Sequence, residues 1–405
     1  MAKKQKKWVK LRHKIITKLA YYVLYPIVKL KYGVKINKFK EQGKRAYFIM
    51  MNHQTDFDQF FIGCAFKGPV YYVASEDLFS KGFISKLLKY AVAPIPIKKQ
   101  STDVRAVMNC IKVAKEGGTI AIAPEGNRTY SGKTEYIRPA IAPLAKKLKL
   151  PIAFFKIENG YGVHPRWSDN TRKGKMQAGV SKVLEPEEYL NMTDEQLYEL
   201  IKKELYVNEA RVSGEFYHKN SAEYLERLFY VCPRCGLTNF KSKGKFIKCN
   251  NCGLEAEYTS TKQFKGVNGS SFPFEFVNDW YTYQQNFVNN LDLNLFTEKF
   301  VYEDIATLFK VIVYKNKKTI KKNAHVKLYG NRIEIECDKK LVFDFEKVHT
   351  ITVLGRNKLN IYIDDDLFQL KGDKSFNAMK YMNFFFRYNN MKKGDNDGKL
   401  LFLGF

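Results

Sequence analysis

Short apolar runs alternate with helical patterns through the first half of the chain. Residues 46–51 (AYFIMM), 70–74 (VYYVA), 119–123 (TIAIA) and 152–157 (IAFFKI) read as buried strands. Helical periodicity covers residues 58–66, 83–90, 102–115 and 138–147, which lie between those runs. Strands separated by helices predict an α/β layer built largely on a parallel sheet with flanking helices. In such sheets ligands sit beyond the carboxyl ends of the strands. The first run leads into Asn52-His53 and the third into Pro124-Glu125-Gly126-Asn127-Arg128, so the most reactive residues fall where open α/β folds build sites.

The second half reads differently. Residues from about 185 to 230 look helical, with Thr193-Asp194-Glu195-Gln196 as a capped start. Two CxxC pairs follow, separated by thirteen residues. From about 270 a helical piece at 278–289 precedes β-patterned runs at 309–315, 325–329, 332–337, 340–345, 347–354 and 359–370. Gly330-Asn331 marks a hairpin. A helix at 375–388 closes a small β barrel or sandwich, an architecture similar to pleckstrin-homology or GRAM domains. The domains expected are a basic amphipathic membrane-interface region at 1–40, a catalytic α/β domain at 41–210, a zinc ribbon at 211–262 and the β-rich domain at 263–405.

The N-terminal pattern is helical and basic. Lys7, Lys10, Lys14 and Lys18 repeat at three- and four-residue steps, with Trp8, Leu11, Ile15, Leu19 and Tyr22 on the adjoining face. Charge sharpens this picture. The chain of 405 residues has 69 Lys+Arg against 41 Asp+Glu, a net +28, yet 13 of the basic residues lie before the first acid, Glu41. Such a charge selects anionic partners. Concentrated on an amphipathic helix, it predicts an anionic membrane surface. No run reaches the ~18 apolar residues of a membrane span, and no small-residue cleavage site follows the arm. The expectation is a peripheral protein on the cytoplasmic face of a membrane. Hydrophobic content of 45% excludes a disordered chain.

Two elements carry candidate chemistry. In Asn52-His53-Gln54-Thr55-Asp56-Phe57-Asp58, a carboxylate five residues after a histidine can fold back onto one imidazole nitrogen and leave the other as a general base. In Glu125-Gly126-Asn127-Arg128-Thr129, Gly126 lets the backbone approach a ligand. The Arg128 fork suits a phosphate, and Glu125 can position that Arg or a substrate hydroxyl. NHxxxxD followed by PEGNRT resembles the glycerophosphate and lysophosphatidate acyltransferase family. Ala93-Pro94-Ile95-Pro96-Ile97-Lys98-Lys99 stands at that family's glycerophosphate-binding block, and Leu150-Pro151-Ile152-Ala153-Phe154-Phe155 at its Pro-led apolar block. The resemblance covers roughly residues 20–210.

It implies direct acyl transfer from acyl-CoA or acyl-carrier protein to a lysophospholipid hydroxyl, with 1-acyl-glycerol-3-phosphate as the implied acceptor. His53 and Asp58 are the implied catalytic pair; Glu125, Gly126, Arg128 and Lys99 bind substrate. Three departures bear on the acceptor. Lys99 stands where the family prefers Arg, Asn127 and Thr129 replace the commoner Thr and Ser, and Ser75-Glu76-Asp77 follows the second strand where a Lys is frequent. No GxSxG elbow is present, and Cys64 and Cys110 read as packing residues.

Cys232, Cys235, Cys249 and Cys252 have the spacing of two zinc knuckles, four thiolates closing a structural tetrahedral site. A secreted disulfide framework would be denser, so a reducing compartment is expected. Lys241, Lys243, Lys245 and Lys248 surround the ribbon and keep open a second class of function: a zinc-ribbon nucleic-acid-binding protein, or a lipid-docking adaptor, on a non-catalytic α/β scaffold. Nucleic acid is the disfavoured partner, because the charge excess sits in the N-terminal arm.

Overall fold

The structure is a computed structural model that describes residues 7–80, 82–97, 103–267, 269–312 and 317–395. The chain divides into two compact units, Met1–Pro165 with Lys173–Gly214, and Arg166–Arg172 with Glu215–Phe405.

The first unit opens with helix α1 (Leu11–Tyr32), closed by Gly33 at φ +59°. It continues through β1 (Val34–Ile36), β2 (Phe48–Met51), α2 (Asp58–Ala65), β3 (Val70–Ser75), α3 (Phe83–Ala91), β4 (Ile95–Ile97), α4 (Val104–Lys115) and β5 (Thr119–Ile122). Then come α5 (Ile141–Leu148), β6 (Ile152–Glu158), a single turn α6 (Gly160–Val163), β7 (Met176–Leu184), a second turn α7 (Pro186–Tyr189) and α8 (Asp194–Leu205). The strands form one sheet in the order β1-β7-β6-β2-β5-β3-β4. Every neighbouring pair is parallel except β6 with β7. The sheet is therefore mixed, and largely parallel as the alternation of strands and helices predicts.

Strand β2 lies between β5 and β6, and all four of its side chains are buried. That placement explains its unbroken apolar run. Phe48, Met50, Ile120, Ile152 and Phe154 pack with Ile141, Ala145, Leu197 and Ile201 of α5 and α8 in one core. Each buried Phe, Met, Leu or Ile side chain contributes about 1.5–3 kcal/mol. Local signals start two of the helices. Asp103 caps α4 by accepting the Ala106 amide at 3.1 Å. Thr193 and Gln196 form the capping box of α8, as the sequence predicts.

Helix α1 inverts the usual pattern. Leu11, Ile15, Leu19, Tyr22, Val23, Ile27 and Leu30 are all at least half exposed, while His13, Val28 and Tyr32 face inward. Trp8 lies before the helix and is not part of the exposed stripe. Its indole donates to the Ala93 carbonyl at 2.9 Å and packs against the core. Among the described residues no helix is long and apolar enough to cross a membrane.

The second unit has short strands β8 (Val231–Cys232) and β9 (Gly236–Leu237), then an antiparallel meander of β10 (Phe240–Lys243), β11 (Phe246–Cys249), β12 (Glu255–Tyr258) and β13 (Phe264–Gly266). Helix α9 (Val277–Asn289) follows. A seven-stranded antiparallel sheet comes next: β14 (Tyr302–Val311), β15 (Lys318–Leu328), β16 (Arg332–Ile335), β17 (Leu341–Asp344), β18 (Val348–Leu354), β19 (Lys358–Ile363) and β20 (Asp366–Gly372). Its order is β17-β16-β15-β14-β20-β19-β18, two meanders joined through the first and last strands. Helix α10 (Met379–Lys392) ends the unit. The apolar run at 359–370 proves to be two strands, because Asp364 at φ +48° turns the chain between them.

The Cys-rich meander and the β-rich half share one unit. Trp280 of α9 is buried, donates to the Val231 carbonyl at 2.9 Å and stacks on Phe229 at 3.8 Å. Gln284 accepts the amides of Tyr230 and Val231. Residues 166–172 complete this unit. Trp167 packs edge-on against Tyr258, Arg166 donates to the carbonyls of Val353 and Gly355, and Arg172 donates to that of Ser221.

Candidate active site

Strand β2 ends at Met51 and delivers Asn52 and His53 to the carboxyl edge of the sheet. The Asn52 side chain continues the β2–β6 ladder. Its amide donates to the Ile157 carbonyl at 2.9 Å and its oxygen accepts the Ile157 N–H at 2.8 Å. The chain then turns so that Asp58 becomes the first residue of α2. Asp58 is fully buried and its oxygens are saturated. Oδ2 receives His53 Nδ1 at 2.8 Å and the Gln54 amide at 2.6 Å; Oδ1 receives the Thr55 amide at 2.9 Å and the Thr55 hydroxyl at 2.6 Å. The imidazole is 24% exposed. With Nδ1 committed to a fixed carboxylate, Nε2 is the nitrogen that can meet a substrate.

The loop after β5 locks onto the same backbone. A turn closes from the Gly126 amide to the Ala123 carbonyl at 2.9 Å, with Pro124 inside it and Gly126 at φ +70°. The Thr129 amide donates to the His53 carbonyl at 3.1 Å. Glu125 Oε1 accepts the His53 amide at 3.0 Å and Oε2 accepts the Glu135 amide at 2.8 Å. In place of the expected contact with Arg128 or a substrate hydroxyl, the Glu125 carboxylate holds two backbone segments together. Burial pushes this carboxyl up to about 8, against the two amides that favour its charge. Arg128 is 6% exposed and pairs with Asp56 at 3.0 Å.

His53, Asp58, Glu125, Gly126 and Arg128 are thus brought together. Lys99, the remaining expected phosphate ligand, lies outside the described residues. Asp56 and Glu135 were not among the sequence candidates. Asp56 stands inside the His53 motif, but nothing local announces a partner 72 residues away. Cys64 and Cys110 are buried, which raises their thiols to about 11 and about 12 and makes them poor nucleophiles.

In the second unit the sulfurs of Cys232, Cys235, Cys249 and Cys252 lie within 4.8 Å of one another. Two of the Sγ–Sγ distances are 3.6 Å. Four thiolates about 2.3 Å from a tetrahedral zinc would stand roughly 3.8 Å apart, so the cluster has the right size. Gly236 at φ +77° and Gly253 at φ +72° turn the backbone directly after each pair.

The chain is similar to known proteins. Residues 33–156 match the family described as Acyltransferase. Over 174 residues the chain is 25% identical to the 1-acyl-sn-glycerol-3-phosphate acyltransferase of Bacillus subtilis (strain 168), covering 42% of this chain and 83% of that protein. The crystal structure of the 1-acyl-sn-glycerophosphate (LPA) acyltransferase PlsC from Thermotoga maritima is similar at 20% identity with a TM-score of 0.39, covering 48% of this chain and 75% of that one. The match lies within the first unit, and the chain is an acyltransferase enzyme.

Proposed function

We propose that the enzyme transfers an acyl chain from a thioester, acyl-CoA or acyl-carrier protein, to the hydroxyl of a lysophospholipid. The acceptor in the relative's name, 1-acyl-glycerol-3-phosphate, is the proposed acceptor. The carrying observation is the 2.8 Å contact between His53 Nδ1 and the fully buried Asp58, one hydrogen-bonded backbone step from a buried arginine. Asp58 fixes the tautomer, and Nε2 of His53 takes the acceptor O–H proton. The oxygen attacks the thioester carbonyl, the C–S bond breaks, and the leaving thiolate recovers the proton from the imidazolium. Arg128 holds the acceptor phosphate by its fork, joined by Lys99. Glu125 and Gly126 shape the loop that presents Arg128.

Two further assignments complete the reading. The outward apolar stripe of α1, with Lys14, Lys18, Lys29 and Lys31 beside it and no acid along it, supports seating on an anionic, cytoplasmic membrane surface. Cys232, Cys235, Cys249 and Cys252 would hold a structural zinc, which supplies folding free energy and no open coordination position. The two-meander sheet and closing helix of the second unit support a pleckstrin-homology or GRAM-like domain.

Purified wild type incubated with a labelled acyl thioester and lysophosphatidate should yield phosphatidate. His53→Ala should lower that rate at least a thousandfold with its melting temperature kept. Absence of transfer by the wild type to any lysolipid would sink the proposal.

A further inference from the structure

Helix α3 shares the inside-out pattern of α1. Phe83 is 78% exposed, and Ile84, Leu87 and Tyr90 are each more than half exposed, whereas Ser85 is buried with its hydroxyl on the Leu78 carbonyl at 2.8 Å. An ordinary surface helix turns such residues the other way. Exposed apolar patches of this kind mark interaction sites.

The two helices meet. Arg12 of α1 donates to the Tyr90 carbonyl at 3.0 Å and its guanidinium lies 4.1 Å from the Tyr90 ring centroid. The other end of α1 reaches the candidate active site. Tyr32 packs on Phe57 at 5.2 Å, and the Lys31 ammonium lies 4.6 Å from the Phe57 ring centroid. Because β3 and β4 are parallel, α3 begins at the carboxyl edge of the sheet and returns to the amino edge. The helices therefore run in opposite directions, each from one edge towards the other. Neither carries an acid, and Lys86 adds to the lysines of α1.

We propose that α1 and α3 form one lipid-inserting platform that seats on an anionic phospholipid bilayer, with Phe83, Ile84 and Leu87 entering the acyl layer. This rests on the membrane reading of α1 and extends it to an element 50 residues away. The charge of the face selects the occupant, since anionic headgroups complement a basic, acid-free surface and a neutral apolar partner does not. The platform ends at the carboxyl edge beside Phe57, where a lipid acceptor would leave the bilayer within reach of His53.

Flotation of the full chain with phosphatidylcholine vesicles containing about 30 mol% phosphatidylglycerol tests this. The wild type should float with the vesicles. Phe83→Asp/Leu87→Asp should lower the partition coefficient at least tenfold, as should Leu19→Asp/Val23→Asp in α1. Leu295→Asp, equally exposed in the second unit, should float as the wild type does. If the α1 variant loses binding and the α3 variant does not, the platform is overturned while the arm stands; if neither variant moves, both fall. A wild-type dimer that the α3 changes convert to a monomer, with flotation kept, would make the face a contact between copies and would also overturn the proposal. Turnover of a short-chain, water-soluble lysophosphatidate should be kept in both variants, so loss of acyl transfer is read separately.

Discussion

At the residue scale the candidate site is half legible. His53 and Asp58 are five residues apart, so a strand followed by a helix start brings them together by local geometry alone. Arg128 and Asp56 join only because β2 and β5 are neighbours in the sheet, which no local pattern encodes. On the proposed role of Arg128, the pair has a consequence for acceptor binding, because a phosphate would compete with Asp56 for the guanidinium. Asp56→Asn should lower the acceptor KM several-fold with kcat little changed, read from steady-state kinetics at varied acceptor. Asp58→Asn keeps the shape but loses the tautomer lock, so kcat should fall about 10²–10⁴-fold. Glu125 carries a pH signature. Its carboxyl rises from the ordinary 4.5 to about 8 on folding. The folded state holds that proton more tightly, so the group's contribution is full below about 4.5 and is lost as pH rises through about 8. Stability relative to Glu125→Gln should therefore decline between those values; urea unfolding at pH 5 and pH 8.5 measures it, and a flat difference would contradict the assignment.

At the scale of elements, β2, β3, β5 and β6 were readable because their runs are nearly unbroken and apolar. Strands β1 and β4 are three residues each, too short for any period to emerge. Strand β7 was missed for another reason. Its pattern MQAGVSKVL is interrupted by Gln177, Gly179, Ser181 and Lys182, as suits a strand with exposed positions and an antiparallel neighbour. Helix α5 starts at Ile141, later than the pattern at 138–147. The turn α6 was not foreseen, yet it supports the site. A Cβ on Gly160 would lie 2.7 Å from Gln54 Cβ and 3.0 Å from Ile157 Cγ2. Gly160→Ala should press on the loop that clasps Asp58, costing about 1–3 kcal/mol of stability and lowering kcat. Thermal unfolding and turnover of the same preparation would show both.

For the whole molecule, the sequence divides the second half into a ribbon and a β-rich domain, but buried Trp280 and Gln284 knit them into one unit. Side chains of α9 that fill a neighbour's core look like any amphipathic stripe until the partner is seen. Zinc would then stabilise more than the ribbon. Elemental analysis of the purified chain should find one zinc per molecule, and Cys249→Ser should abolish it and lower the unfolding temperature of the second unit.

Residues 166–172 have the widest consequence. They lie between stretches of the first unit yet complete the second, so the chain crosses the division three times. A protease that cut once, after Gly214, would not release two separate bodies. Trp167 and its neighbours would remain seated in one half while covalently tied to the other. Nor would a gene ending at codon 214 encode a clean catalytic fragment. It would leave Trp167, which the whole chain keeps fully buried, facing water with no shelter of its own. The two units are threaded through one another's sequence, so neither can be excised by a single cut.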